Sequence, residues 1–383
     1  MNKKKQKAVL LIHGMGKNEP PGEDAERRTI RGRFSKDFID ATTVSLQRFK
    51  NFKDDTLENH VDIHEFNYDA WFDKMRIAMA DNAKSMKERL KLVSEVYGMS
   101  LLDHADKLRS IEEKFKNDNF LYTHALDVFF YATMLGEKVM IDAARMIADL
   151  VENYRARNVY IVAYSLGTSV LHDTLHHFYR KDYDPSDNIS DLDFTTHKLK
   201  SIWMVSNVSR ITSMLNSRVE DPYKSSVKPG DNGSINQFYL VRHKLDPFTL
   251  LSRFSPKNDG SWIPESVYTN FYEEIETEYI VDHVNPHDFN LYMKNPQVAY
   301  SLFNELINDF SDKITIDELD EIDKKYKASS LQIAIDAFKK EFKEIDVKDI
   351  DSIKEFIEAG KKLWKIIENL KKNLENGGDD DEG

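Results

Sequence analysis

An α/β fold, with a mostly parallel sheet of about six or more strands covered by helices on both faces, is what this sequence predicts. Three observations carry that expectation. Short apolar runs rich in β-branched residues recur at 7–13, 61–66, 158–164, 201–207, 237–242 and 278–281, separated by helical periodicity or long loops. Near-continuous apolar runs of this kind suit strands buried on both faces. The third run, Val159 to Tyr164, collides with a serine among small residues, Ala163-Tyr164-Ser165-Leu166-Gly167, and a helix-compatible stretch, Thr168 to His177, follows. Finally, 383 residues with 40% hydrophobic content suffice for one large domain with a real core and an appendage.

The first run follows a lysine-rich leader, Met1 to Lys7. Leader and run imitate a secretion signal, but the apolar part spans about five residues, short of the ~7–15 such a region needs, and no small-x-small cleavage site follows. The run is therefore read as the first core strand, ending in His13-Gly14-Met15-Gly16. Between the second and third runs, residues 70–155 read as a long helical insertion. Phe72, Met75, Met79, Ala83, Met86, Leu90, Val93 and Tyr97 recur at spacings of three and four. They make one apolar stripe along roughly 39 Å of helix. The stripe is either a face buried in a helical hairpin or a Met-rich lid over an acyl-chain site. Its second half, Leu121 to Val151, is apolar on more than one side, is interrupted at Gly136 and is expected beside the sheet.

After a main domain over 1–310, composition turns rich in Lys, Glu and Asp. Residues 311–376 carry apolar stripes such as Ile316, Leu319, Ile322 and Tyr326, then Phe356, Leu363, Trp364, Ile367 and Leu370. They read as a helical subdomain, either a surface for a second copy or another protein, or a cap on the main domain. Residues 377–383 read as a disordered acidic tail. A net charge of −12 argues against nucleic acid as a partner. With no cysteine, disulfides, a thiol nucleophile and Cys-ligated metals are excluded, which suits a reducing cytoplasm. No run reaches the roughly 18 apolar residues of a membrane span, so a soluble chain is expected.

The serine run points to chemistry. A strand that turns sharply into a helix with serine at the apex needs small residues two before and two after it; Ala163 and Gly167 meet that need around Ser165. A serine hydroxyl attacks only when a base takes its proton and a third group orients the base. The developing oxyanion then needs preorganised N–H donors. The His-Gly-x-Gly turn after the first run supplies the Met15 amide, and Leu166, following the serine, supplies the second. After the fifth run stands His243-Lys244-Leu245-Asp246-Pro247. There Asp246, held extended by the proline, suits an orienting carboxylate, with Asp221 before Pro222 the runner-up. After the sixth run, both His283 and His287 lie where the base belongs, and spacing leaves both open.

Together the stretches 9–16, 159–170, 238–247 and 287–298 resemble the α/β-hydrolase superfamily, specifically its lipase/esterase-like branch. The segment from His287 through Tyr292 to Asn295-Pro296 is similar to the His-x-x-x-x-Tyr-x-x-Asn-Pro segment around the catalytic histidine of some bacterial members and of relatives of the GPI inositol deacylases. The resemblance covers about residues 7–305. It implies an α/β-hydrolase fold and a triad of Ser165, His287 and Asp246, with His287 chosen over His283. Met15 and Leu166 would form the oxyanion hole, and ester hydrolysis would proceed through an acyl-enzyme with no metal or organic cofactor. Ala163 in place of the first elbow glycine, and Tyr164 where a histidine is frequent, leave the substrate open between a small-molecule and a lipid ester. An amidase or thioesterase would carry the same triad. A rival of another class is a hydrolase-fold interaction module whose helices bind a partner. His172-Asp173-Thr174-Leu175-His176 imitates a zinc-binding His-Glu-x-x-His. It is set aside because this helix must pack on the sheet and Asp makes a short, poorly placed base.

Overall fold

The structure, a computed structural model, describes residues 5–14, 32–69, 71–72, 74, 131, 135–183, 189–190, 192–215, 221–244, 246, 249, 253–256, 262–279 and 287–329. Six strands form one parallel sheet: β1 (Ala8–Ile12), β2 (Asp62–Phe66), β3 (Val159–Tyr164), β4 (Leu199–Val205), β5 (Ile235–His243) and β6 (Tyr272–Thr277). Their spatial order is β2-β1-β3-β4-β5-β6, with every pairing parallel. The helices around the sheet include α1 (Arg33–Leu46), α2 (Gly136–Tyr154), α3 (Leu166–Arg180), α4 (Ser209–Leu215), α5 (Glu265–Phe271), α6 (Phe289–Met293) and α7 (Pro296–Leu306). The chain therefore has an α/β fold.

Five strands lie on the expected runs, and the sixth requires a correction. The run at 278–281 is not where β6 forms; the strand is Tyr272–Thr277, and residues 278–279 leave the sheet. Three glutamates among its six residues break the apolar run that marks the other strands. At a sheet edge those side chains are affordable, because Arg242 on β5 pairs with Glu274 at 2.5 Å and Glu276 at 2.9 Å. Charge on an outer strand also discourages further strand pairing.

The pleat divides the core in two. Ala8, Leu10 and Ile12 of β1 face one apolar layer with Val139, Ile147, Leu171 and Leu175 of α2 and α3. Val9 and Leu11 face the other, with Phe38 of α1 and Tyr292, Leu302 and Phe303 of α6 and α7. Both faces of β1 are dry, which explains its uninterrupted apolar sequence. Gly136, where the helical pattern is interrupted in the sequence, is the first residue of α2. The methionine stripe from Met75 onward lies outside the described residues. Of the C-terminal segment, residues 316–329 are helical. Ile322 is buried with the main core and Leu319 packs on it, while Ile316 is exposed. Residues 330–376 and the acidic tail lie outside the described residues. Among the described residues, no helix is long and apolar enough to cross a membrane.

Strand order places the site. From β1 the chain moves outward to β2, then returns to β3 on the opposite side of β1. In open α/β sheets such a reversal leaves a crevice at the carboxyl ends of the two central strands, where ligands bind. Ser165 follows β3 directly at that crevice, and Gly14 lies two residues past β1.

Candidate active site

Ser165 is the single residue between β3 and α3. Its φ of 52° and ψ of −124° put a non-glycine residue in a backbone region L-amino acids rarely adopt. Neighbouring bonds hold it there. The Ser165 N–H donates to the Val205 carbonyl at 3.0 Å, extending the β3–β4 ladder to the serine itself. Its carbonyl accepts from the Thr168 N–H at 2.9 Å and the Thr168 hydroxyl at 2.6 Å, closing the first turn of α3. The small flanking residue is a steric necessity. A Cβ on Gly167 would sit 2.4 Å from the carbonyl oxygens of both Ile12 and His13. Likewise a Cβ on Gly14 would lie 2.8 Å from Cβ of Ser165.

Three side chains from separate segments converge at this apex. Ser165 Oγ is 3.0 Å from His287 Nε2, and His287 Nδ1 is 2.9 Å and 3.0 Å from the two Asp246 carboxylate oxygens. Exposure of Ser165, His287 and Asp246 is 1%, 6% and 0%, so the three interact away from bulk water. Such a low-dielectric setting strengthens their polar contacts. Asp221, the runner-up acid, is exposed and accepts from the Tyr223 N–H in a local turn; it takes no part. His283 and Met15 lie outside the described residues. Leu166 is the first residue of α3, so its N–H has no intrahelical acceptor and stands at the positive end of the helix.

The acid is more heavily bonded than its sequence context suggests. Asp246 accepts from the Tyr292 hydroxyl at 2.7 Å and the Ser206 hydroxyl at 2.5 Å besides His287. Burial pushes its carboxyl up. The hydrogen bond and charge of His287, with the bonds from Ser206 and Tyr292, outweigh that and hold it below the ordinary carboxylate range. Burial and the Asp246 charge push the Tyr292 phenol far up, so it remains a donor. Tyr164, also pushed up by burial and then by Asp246 and Asp288, donates its hydroxyl to the His287 main-chain carbonyl, tying the residue before Ser165 to His287. On the other flank, His13 stacks on Tyr68 with centroids 4.1 Å apart. His13 Nδ1 lies 2.7 Å from the Gly14 carbonyl, and the Tyr68 hydroxyl donates to the His13 carbonyl at 2.8 Å. These contacts fix His13 and Gly14 just past the end of β1.

The segment after His287 explains its own sequence. Asp288 caps α6 by accepting from the Asn290 N–H at 2.7 Å. Asn295 caps α7 by accepting from the N–H groups of Gln297 and Val298, and Pro296 occupies the first turn, where a missing N–H costs nothing. His287 and Tyr292 thus sit on one short, doubly capped unit. In the sequence Tyr292 is one letter of a motif with no role of its own, and neither Ser206 nor Tyr68 stands out. A lone Ser after a strand carries no signal; for Ser206 only the contacts reveal it.

The His-x-x-x-His imitation is a packed helix face. His172 Nδ1 lies 2.9 Å from Asp173, whose other oxygen accepts from the Tyr131 hydroxyl at 2.7 Å. Among the described residues no group of three or more His, Cys, Asp or Glu could hold a metal ion. Burial, then the nearby His172, His177 and Arg180, pushes His176 down to about 4. An unfolded histidine titrates near about 6.5, so between those values only the unfolded chain takes up this proton. Stability from this source is full above about 6.5 and falls as pH drops toward about 4. In urea unfolding at pH 7.5 and 4.5, His176→Gln is expected to lose less stability on acidification than the wild type; equal losses would refute the assignment.

No family model matches the chain, and neither a curated protein nor a solved structure matches it.

Proposed function

We propose that this chain is a serine hydrolase of the α/β-hydrolase type that cleaves an ester bond, in a carboxylic ester or a lipid, through an acyl-enzyme. The observation that carries the reading is the continuous relay from Asp246 through His287 to Ser165, with the serine raised on a strained strand-to-helix apex. In this reading Ser165 Oγ attacks the carbonyl carbon while His287 Nε2 takes its proton. Asp246 keeps His287 in the tautomer whose Nε2 can accept, and stabilises the imidazolium that forms. The Leu166 amide, with that of Met15, receives the oxyanion. His287 then returns the proton to the leaving alcohol, and water hydrolyses the acyl-enzyme by the same relay run again. The α/β sheet, the site at its topological switch point and the chain order Ser, Asp, His all accord with this assignment. Labelling by a fluorophosphonate tests it, with a Ser165-bound adduct as the expected product and its absence as the refutation.

A further inference from the structure

Asp246 Oδ2 is crowded with donors. His287 Nδ1 at 2.9 Å, the Tyr292 hydroxyl at 2.7 Å and the Ser206 hydroxyl at 2.5 Å all converge on this one atom. The donors come from separate parts of the chain. Ser206 immediately follows β4, and its N–H donates to the Val241 carbonyl of β5 at 2.8 Å. Its φ of 51° places a residue with a Cβ in the left-handed region, a conformation the surrounding bonds must sustain. Tyr292, fully buried, comes from α6, five residues past the base. The Ser206 oxygen also lies 3.1 Å from His287 Nδ1. With its proton directed to Asp246, its lone pair faces the imidazole N–H, so Ser206 bridges acid and base.

A buried carboxylate needs none of this merely to meet one imidazole. Each extra charge-assisted bond fixes its rotamer and draws off negative charge that would otherwise go to His287. We propose that Tyr292 and Ser206 are positioning residues of the relay, clamping the Asp246 carboxylate against His287 and setting how strongly it acts on the base. This inference rests on the serine-hydrolase reading for its kinetic consequence, but the clamp itself has a separate readout. The charged and titratable groups around the relay are Asp246 and His243 from β5 and its loop, Asp288 beside the base, Tyr164 from β3 and Tyr292 from α6. Ser206→Ala replaces none of them and removes only the hydroxyl bonded to Asp246.

The experiment uses the full-length protein as wild type, Tyr292→Phe, Ser206→Ala and Ser206→Gly. Glycine relieves the positive φ while removing the hydroxyl, so comparing Ser206→Gly with Ser206→Ala separates backbone strain from the hydrogen bond. The first readout is the low-field proton NMR resonance of the His287 imidazole N–H, assigned by its loss in His287→Gln. It is expected to move in all three variants while thermal midpoints confirm that each is folded. The second is the rate of fluorophosphonate labelling at saturating reagent. It is expected to fall between about tenfold and about a hundredfold in each variant, with little change in half-saturation, as suits loss of a bond to a charged group. An unmoved resonance in folded Tyr292→Phe and Ser206→Ala overturns the clamp. Labelling rates within twofold of wild type in all three folded variants, with the wild type labelled, overturn its action on the base even where the resonance moves. Absence of labelling in the wild type itself would instead count against the hydrolase reading, and the resonance would still decide the clamp.

Discussion

Replacing His287 by glutamine is expected to lower kcat toward an activated ester by roughly 10⁴–10⁶-fold. Glutamine keeps an amide donor for Asp246, so the acid is not left as a buried charge without that partner. It cannot accept the Ser165 proton at Nε2, now 3.0 Å away, and hand it on to a leaving group. Residual turnover would come from oxyanion stabilisation and binding alone. The loss should appear in kcat with KM nearly unchanged, since His287 contacts the nucleophile and acid rather than contributing bulk to substrate binding. A variant within tenfold of wild type would mean that another group is the base, and His283 would be the first to test.

The second large effect is structural. Gly167→Ala would place a Cβ 2.4 Å from two main-chain carbonyl oxygens, those of Ile12 and His13. Real contacts do not reach that distance; Ile12 is the last residue of β1, which is paired on both sides to β2 and β3, and the His13 carbonyl is held by the Tyr68 hydroxyl at 2.8 Å. The start of α3 must therefore move, taking the Leu166 amide and the Ser165 apex with it. A loss of about 3 kcal/mol or more is expected, at the upper end of what overpacking costs, because backbone and not a side chain is struck. Urea unfolding measures it, and labelling of Ser165 should fail in whatever fraction remains folded. A variant as stable as wild type would show that α3 slides freely on β1 and that the close approach has no energetic meaning.

The strands and the site were unequally legible in the sequence, for physical reasons. β1 and β3 are buried on both faces, so every residue reports the same environment and the runs stand out. β6 borders solvent on one side and answers to Arg242, so its glutamates hide it. Ser165 and Asp246 were legible because each stands just past a strand end and because the serine turn imposes small residues around it, whereas only the resemblance of the segment 287–298 singled out His287 from His283. Ser206 was not legible, since nothing in a strand-ending Ser-Asn pair announces a bond to a carboxylate 40 residues further on. Tyr292 was visible only as one letter of a resemblance; its partner is set by the register between α6 and the loop after β5. Pairwise contacts across the fold, unlike turn chemistry, leave no local trace in sequence.

The most direct measurement of the central claim is the intact mass of the protein after brief exposure to a fluorophosphonate, followed by peptide mapping. A single adduct is expected on the peptide that contains Ser165, absent in Ser165→Ala and strongly slowed in His287→Gln. An unlabelled wild type, or an adduct that persists in Ser165→Ala, would contradict the assignment of Ser165 as a nucleophile activated by His287 and Asp246.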